Sequence, residues 1–83
     1  MDKSIYTREY EVLLRLLREA RERSGLTQVE LAERLSQTQS YVSKIERGDR
    51  RLDVVQLRTI LGVLGIRLAD FVELFEQQME KIV

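Results

Sequence analysis

Two short amphipathic segments, about 28–35 and 39–47, are joined by about three residues, Leu35 to Gln37, and this join limits the fold more than any other feature of the sequence. Both segments have marked ends. Thr27, followed three residues later by Glu30, forms a capping box, in which hydroxyl and carboxylate each satisfy a backbone N–H that the first helical turn leaves without a partner. Thr38 is placed to cap the second segment and Gly48 to end it. Helices so short and so closely joined form a corner too tight for ordinary bundle packing, with Leu31, Leu35, Val42 and Ile45 holding that corner on a core. Ala32 supplies the small side chain needed where the two helices cross.

The rest of the chain supplies that core. Tyr10, Leu13, Leu16, Leu17 and Ala20 recur at helical spacing behind Thr7 as N-cap, which predicts a helix over about 8–24. Asp53 caps a further helix, with Leu52 and Leu57 spaced as a hydrophobic staple and Gly65 at its end. Leu68, Phe71, Val72, Phe75, Met79 and Ile82 trace one stripe of a last helix. Gly25, Gly48 and Gly65 follow apolar periodic segments as C-caps in a chain with no proline. No segment alternates as a strand does, and 83 residues support one core. The expected fold is all-α: a compact five-helix domain spanning 1–83, with both terminal helices extended.

Absences narrow the chemistry. Without cysteine or histidine, the chain loses thiolate nucleophiles, imidazole bases, disulfides and the usual zinc sites. The carboxylates are scattered over solvent-facing helix positions and no nucleophile has a base beside it, so no enzyme, metal or cofactor is expected. No stretch approaches the roughly 18 apolar residues of a membrane span, and Met1-Asp2-Lys3-Ser4 is not followed by an apolar signal core. A cytoplasmic protein without membrane contact is expected. The formal net charge is zero, yet residues 1–52 carry eleven basic and nine acidic side chains against three and five in 53–83. The basic excess accompanies the corner, although its size is common on ordinary surfaces.

The outward face of the third helix shows Gln39, Ser40, Ser43, Lys44 and Arg47, groups that hydrogen-bond to base edges and phosphates. A polar helix face is ordinarily just a solvated one. The tight corner beneath it points instead to a helix-turn-helix unit. The run Gly25-Leu26-Thr27-Gln28, Leu31-Ala32, Leu35, Gln39-Ser40-Tyr41-Val42-Ser43-Lys44-Ile45-Glu46-Arg47-Gly48 and later Leu64-Gly65 resembles the Xre family of helix-turn-helix regulators, which includes the Cro and repressor proteins of lambdoid phages.

That resemblance covers about 25–75 and implies a lambda-repressor-like domain that binds double-stranded DNA sequence-specifically and regulates transcription. It implies that Gln28 holds a phosphate with its side chain and nearby backbone N–H groups, and that Gln39 reads a base. Ser40, Ser43 and Lys44 match the family's other base-facing positions, while Thr38, Tyr41 and Arg47 match positions near the sugar-phosphate backbone. Arg21 and Glu46 match a pair that in related repressors forms an ion pair tying the third helix to the first.

Several positions depart from the family pattern. Ser36 stands where the turn normally has glycine, so a left-handed backbone there costs about 1 kcal/mol or somewhat more. The loop Asp49-Arg50-Arg51-Leu52 lacks the proline common in relatives but offers Arg50 and Arg51 to phosphate. Arg67 occupies the N-cap of the last helix where relatives often have serine, predicting a softer start. Ile5 to Tyr10 and Glu76 to Val83 run past the usual domain. Phe75, Met79, Ile82 and Val83 are surplus to a minimal core and pack either on the first helix or on a second copy. Family members usually bind pseudo-palindromic sites as dimers, which makes a homodimer the expected assembly, with no small-molecule ligand domain. The alternative is an antitoxin-like or other protein-interaction module that also binds DNA.

Overall fold

A computed structural model describes residues 7–82, with the side chain of Ile82 excepted; Ile5 and Val83 therefore lie outside the described residues. Five helices follow one another: α1 (Arg8–Arg23), α2 (Gln28–Arg34), α3 (Gln39–Arg47), α4 (Val54–Val63) and α5 (Leu68–Ile82). Among the described residues there is no strand. The expected boundaries of α1, α2 and α3 hold to within a residue, the usual uncertainty of fraying ends.

The caps explain why the helices start where they do. Thr7 and Thr38 accept from the backbone N–H groups of Tyr10 and Tyr41, each at 3.1 Å. Thr27 and Glu30 close the expected capping box. A second box, not anticipated, pairs Asp53 with Gln56, whose amide oxygen accepts from the Asp53 N–H at 2.9 Å. Thr7 itself is extended, so the helix does not continue back through it.

The first four helices share one ending. In each, a residue in the left-handed region is followed by a backbone N–H that returns to the carbonyl five positions back: Leu26 to Arg21, Gln37 to Ala32, Asp49 to Lys44 and Ile66 to Leu61. Three of the left-handed residues are glycine. The other is Ser36, at φ +56°, so the strain expected from the missing glycine is present in the turn between α2 and α3. Gly48, at φ +85°, is favoured by its left-handed backbone, and a Cβ there would also crowd Leu14 Cδ1 at 3.3 Å.

The core gathers Leu16 and Leu17 of α1, Leu31 and Ala32 of α2, Val42 and Ile45 of α3, Ile60 and Leu61 of α4, and Phe71 of α5. Ile45 and Leu61 are the most completely enclosed. α1 lies against both α3 and α5, and α2 lies against α3. Val12 and Leu14 of α1 are buried as well, beyond the single stripe expected for that helix. On α5 the expected stripe needs one correction: Val72 is exposed, and Leu74 packs inward instead. With 3.6 residues per turn, Phe71, Leu74 and Phe75 centre the inward arc, and Val72, on the same stripe as Met79, lies at its rim. Phe75 and Met79 pack partly buried against this chain's own core.

Candidate nucleic-acid interface

α3 is anchored by its apolar side. Val42 and Ile45 are buried and Tyr41 is half-buried, which turns Gln39, Ser40, Lys44 and Arg47 to solvent, with Ser43 at the edge. Gln39 and Ser40 occupy the first turn, which contains no acidic side chain. Unpaired N–H groups and the helix dipole therefore leave this end electropositive. At the other end Arg47 donates to Asp49 at 2.9 Å and to the Ser43 hydroxyl, which orders both side chains along the outer face.

Beneath Gln39 runs a continuous relay of polar contacts joining three helices. Arg21 of α1 grips the Glu46 carboxylate from two nitrogens, at 2.7 and 3.1 Å, and donates a third bond to the Leu26 carbonyl at 2.8 Å. Their side chains are only 10% and 5% exposed, so the expected pair is a largely buried one. The hydrogen bond to Glu46 is the main cause that holds the Arg21 guanidinium above even its ordinary high pKa, against the opposing effect of burial. Glu46 also accepts from Gln28 Nε2 at 2.9 Å, and Gln28 Oε1 accepts from Gln39 Nε2 at 2.9 Å. Gln39 and Glu46 are seven residues apart, two turns of helix, so they lie on one stripe and Gln28 bridges them.

Of this relay, sequence reasoning anticipates the ion pair alone. The seven-residue spacing is the available signal, but it does not say that an α2 side chain fills the gap. Gln28, expected to hold a phosphate, spends its carbonyl and one N–H on protein partners and retains one side-chain N–H. Thr38 similarly spends an acceptor site on the cap while its hydroxyl proton remains available.

The loop after α3 carries a second group of cations. The Arg50 guanidinium lies 4.9 Å from the centre of the Tyr41 ring, and that of Arg51 lies 5.9 Å from the Tyr10 ring. Both contacts fall within cation–π range. The Tyr10 hydroxyl also accepts from the Leu52 N–H at 3.2 Å, tying this loop to α1. None of these aromatic contacts is foreseen from the sequence, which places Tyr10 only on the core stripe of α1 and Tyr41 only near the DNA backbone.

Among the described residues no group of three or more acidic side chains is placed to hold a metal ion, and no helix is long and apolar enough to cross a membrane.

No curated protein matches the chain. A family model described as helix-turn-helix matches residues 17–71, which takes in the buried pair, the corner and α4. Among solved structures, an XRE-family like protein from Pseudomonas syringae pv. tomato str. DC3000 superposes with a TM-score of 0.83. It is 41% identical over 92% of this chain and 93% of that one. A tight α2–α3 corner with a polar, exposed third helix, joined to that degree of likeness along nearly the whole chain, shows that the protein belongs to the Xre family of helix-turn-helix DNA-binding regulators.

Proposed function

We propose that α3 enters the major groove of duplex DNA with Gln39, Ser40, Ser43 and Lys44 toward the base edges. Gln28, Thr38, Tyr41, Arg47, Arg50 and Arg51 lie along the sugar-phosphate backbone, and two copies bind a pseudo-palindromic operator to regulate transcription. The observation that carries this reading is the anchoring of Gln39. A surface glutamine ordinarily loses rotamer entropy on binding, but this one is already held by Gln28 at the exposed start of the helix. Its remaining amide edge suits adenine, where a bidentate contact discriminates by about 1–3 kcal/mol. The dimer rests on affinity, since one reading helix rarely supplies what an operator requires. Phe75 and Met79 are partly buried against the chain's own core, and Val72 is the large apolar side chain of α5 exposed among the described residues, so these are what a second copy meets there.

Selection of bound sequences from a random duplex pool tests all of this together, because it reports specificity, half-site spacing and symmetry. Gln39→Ala should then relax preference at one base pair per half-site, while affinity for unrelated DNA stays nearly constant because the phosphate contacts survive. A variant that binds the selected operator as selectively as the parent would remove Gln39 from the base-reading set.

A further inference from the structure

We propose that Glu46 is a positioning residue that sets which way round the Gln39 amide faces DNA, and so makes Gln39 choose adenine over guanine; this rests on the base-reading role given to Gln39 above. The two ends of a glutamine amide have nearly the same shape and differ in what they donate and accept, so only hydrogen-bond partners select between its two orientations. The selection here begins at Glu46. Its carboxylate, gripped by the Arg21 guanidinium, can only accept. Gln28 must therefore present its NH2 to Glu46, which turns its carbonyl toward Gln39. That carbonyl can also only accept, so Gln39 must present its own NH2.

Gln39 is left with its carbonyl oxygen and one N–H. This edge complements the N6 donor and N7 acceptor of adenine, whereas guanine offers two acceptors, O6 and N7, and would set the Gln39 carbonyl against O6 with no proton between them. Reversing both amides would leave Gln39 with two N–H groups, the edge that suits guanine. Glu46 is two turns from Gln39 along α3, and its side chain is 5% exposed, so it exerts this choice without touching a base.

The test compares binding of the full chain to its selected operator and to the same duplex with the pair read by Gln39 changed from A·T to G·C in each half-site. The parent should favour adenine by roughly 5- to 150-fold, the range of a good bidentate contact. Glu46→Gln, whose amide can donate or accept, frees both orientations and should bring the ratio to within about threefold. Gln28→Met interrupts the same relay with the ion pair intact and should also collapse the ratio, which keeps the test available if Glu46→Gln folds poorly. Arg21→Lys keeps a cation beside an acceptor-only carboxylate, and should lower the melting temperature while preserving the ratio.

A purely structural role for Glu46 predicts something else, that both duplexes weaken together at an unchanged ratio. That result in folded Glu46→Gln or Gln28→Met, or an equal loss of ratio in Arg21→Lys, would overturn the proposal. If Gln39→Ala relaxes one base pair while Glu46→Gln leaves the ratio intact, the positioning role alone fails. If Gln39→Ala changes no position, the base-reading role fails and takes this inference with it.

Discussion

Replacing Arg21 by methionine should remove between about a quarter and three quarters of the stability of the fold. The substitution preserves much of the side-chain volume but takes both guanidinium bonds from the Glu46 carboxylate, whose side chain is 5% exposed, and leaves it the Gln28 amide at 2.9 Å. It also deprives the Leu26 carbonyl of a 2.8 Å bond. Breaking a buried ion pair from one side costs about 3–5 kcal/mol. The surviving Gln28 bond and the 10% exposure on the arginine side, which lets water reach the gap, favour the lower end, about 3 kcal/mol. A domain of this size is stable by only about 4–12 kcal/mol, and each kcal/mol moves its midpoint by about 4–8 °C, so a fall of roughly 12–24 °C is expected.

Thermal melts followed by far-ultraviolet circular dichroism, with urea titrations at 25 °C, measure this directly. The double variant Arg21→Met, Glu46→Leu should recover much of the stability, because replacing a buried pair with apolar groups of similar volume is often near neutral. A drop under about 4 °C for Arg21→Met, which corresponds to an exposed pair worth about 1 kcal/mol or less, would refute the reasoning, as would a double variant showing simple additivity.

Three further outcomes are expected. Ser36→Gly should stabilise the fold by about 0.5–1 kcal/mol, since relief of a left-handed residue at φ +56° outweighs the added freedom of glycine in the unfolded chain, and a melting temperature unchanged or lowered would contradict this. Arg50→Ala with Arg51→Ala should weaken binding to all duplexes alike and flatten the log–log salt dependence by about 0.9 for each phosphate left without its arginine; an unchanged slope would take the loop out of the interface. Glu30 has its pKa lowered, first by the Thr27 backbone N–H and then by the Thr27 hydroxyl. The folded state thus releases this proton more readily than the unfolded one, so the stabilisation is full above the ordinary glutamate range and disappears as pH falls through the lowered folded value. Glu30→Gln should accordingly remove part of the acid-side slope in a stability–pH profile, and identical slopes for parent and variant would show the capping carboxylate is not titrating this way.

The features legible without coordinates are those set by neighbours within a few residues. Thr7, Thr27 and Thr38 cap helices because a hydroxyl reaches an N–H three positions on, and Gly25, Gly48 and Gly65 end them because the left-handed region carries no penalty without a Cβ. Apolar spacing places Leu31, Ala32, Val42 and Ile45 in the core, and the short join between α2 and α3 makes the corner. The Arg21–Glu46 pair is legible only through the resemblance to relatives, since 25 residues separate its members. Packing of the helices settles the rest: Gln28 bridges Gln39 to Glu46, Arg50 and Arg51 lie on Tyr41 and Tyr10, and Val72 turns outward while Leu74 turns in. In each case the partners come from different elements, or the facing of one helix depends on what packs against it. A polar side chain carries no mark in the sequence of which distant donor or acceptor will complete it, because that choice is made by the relative placement of packed helices.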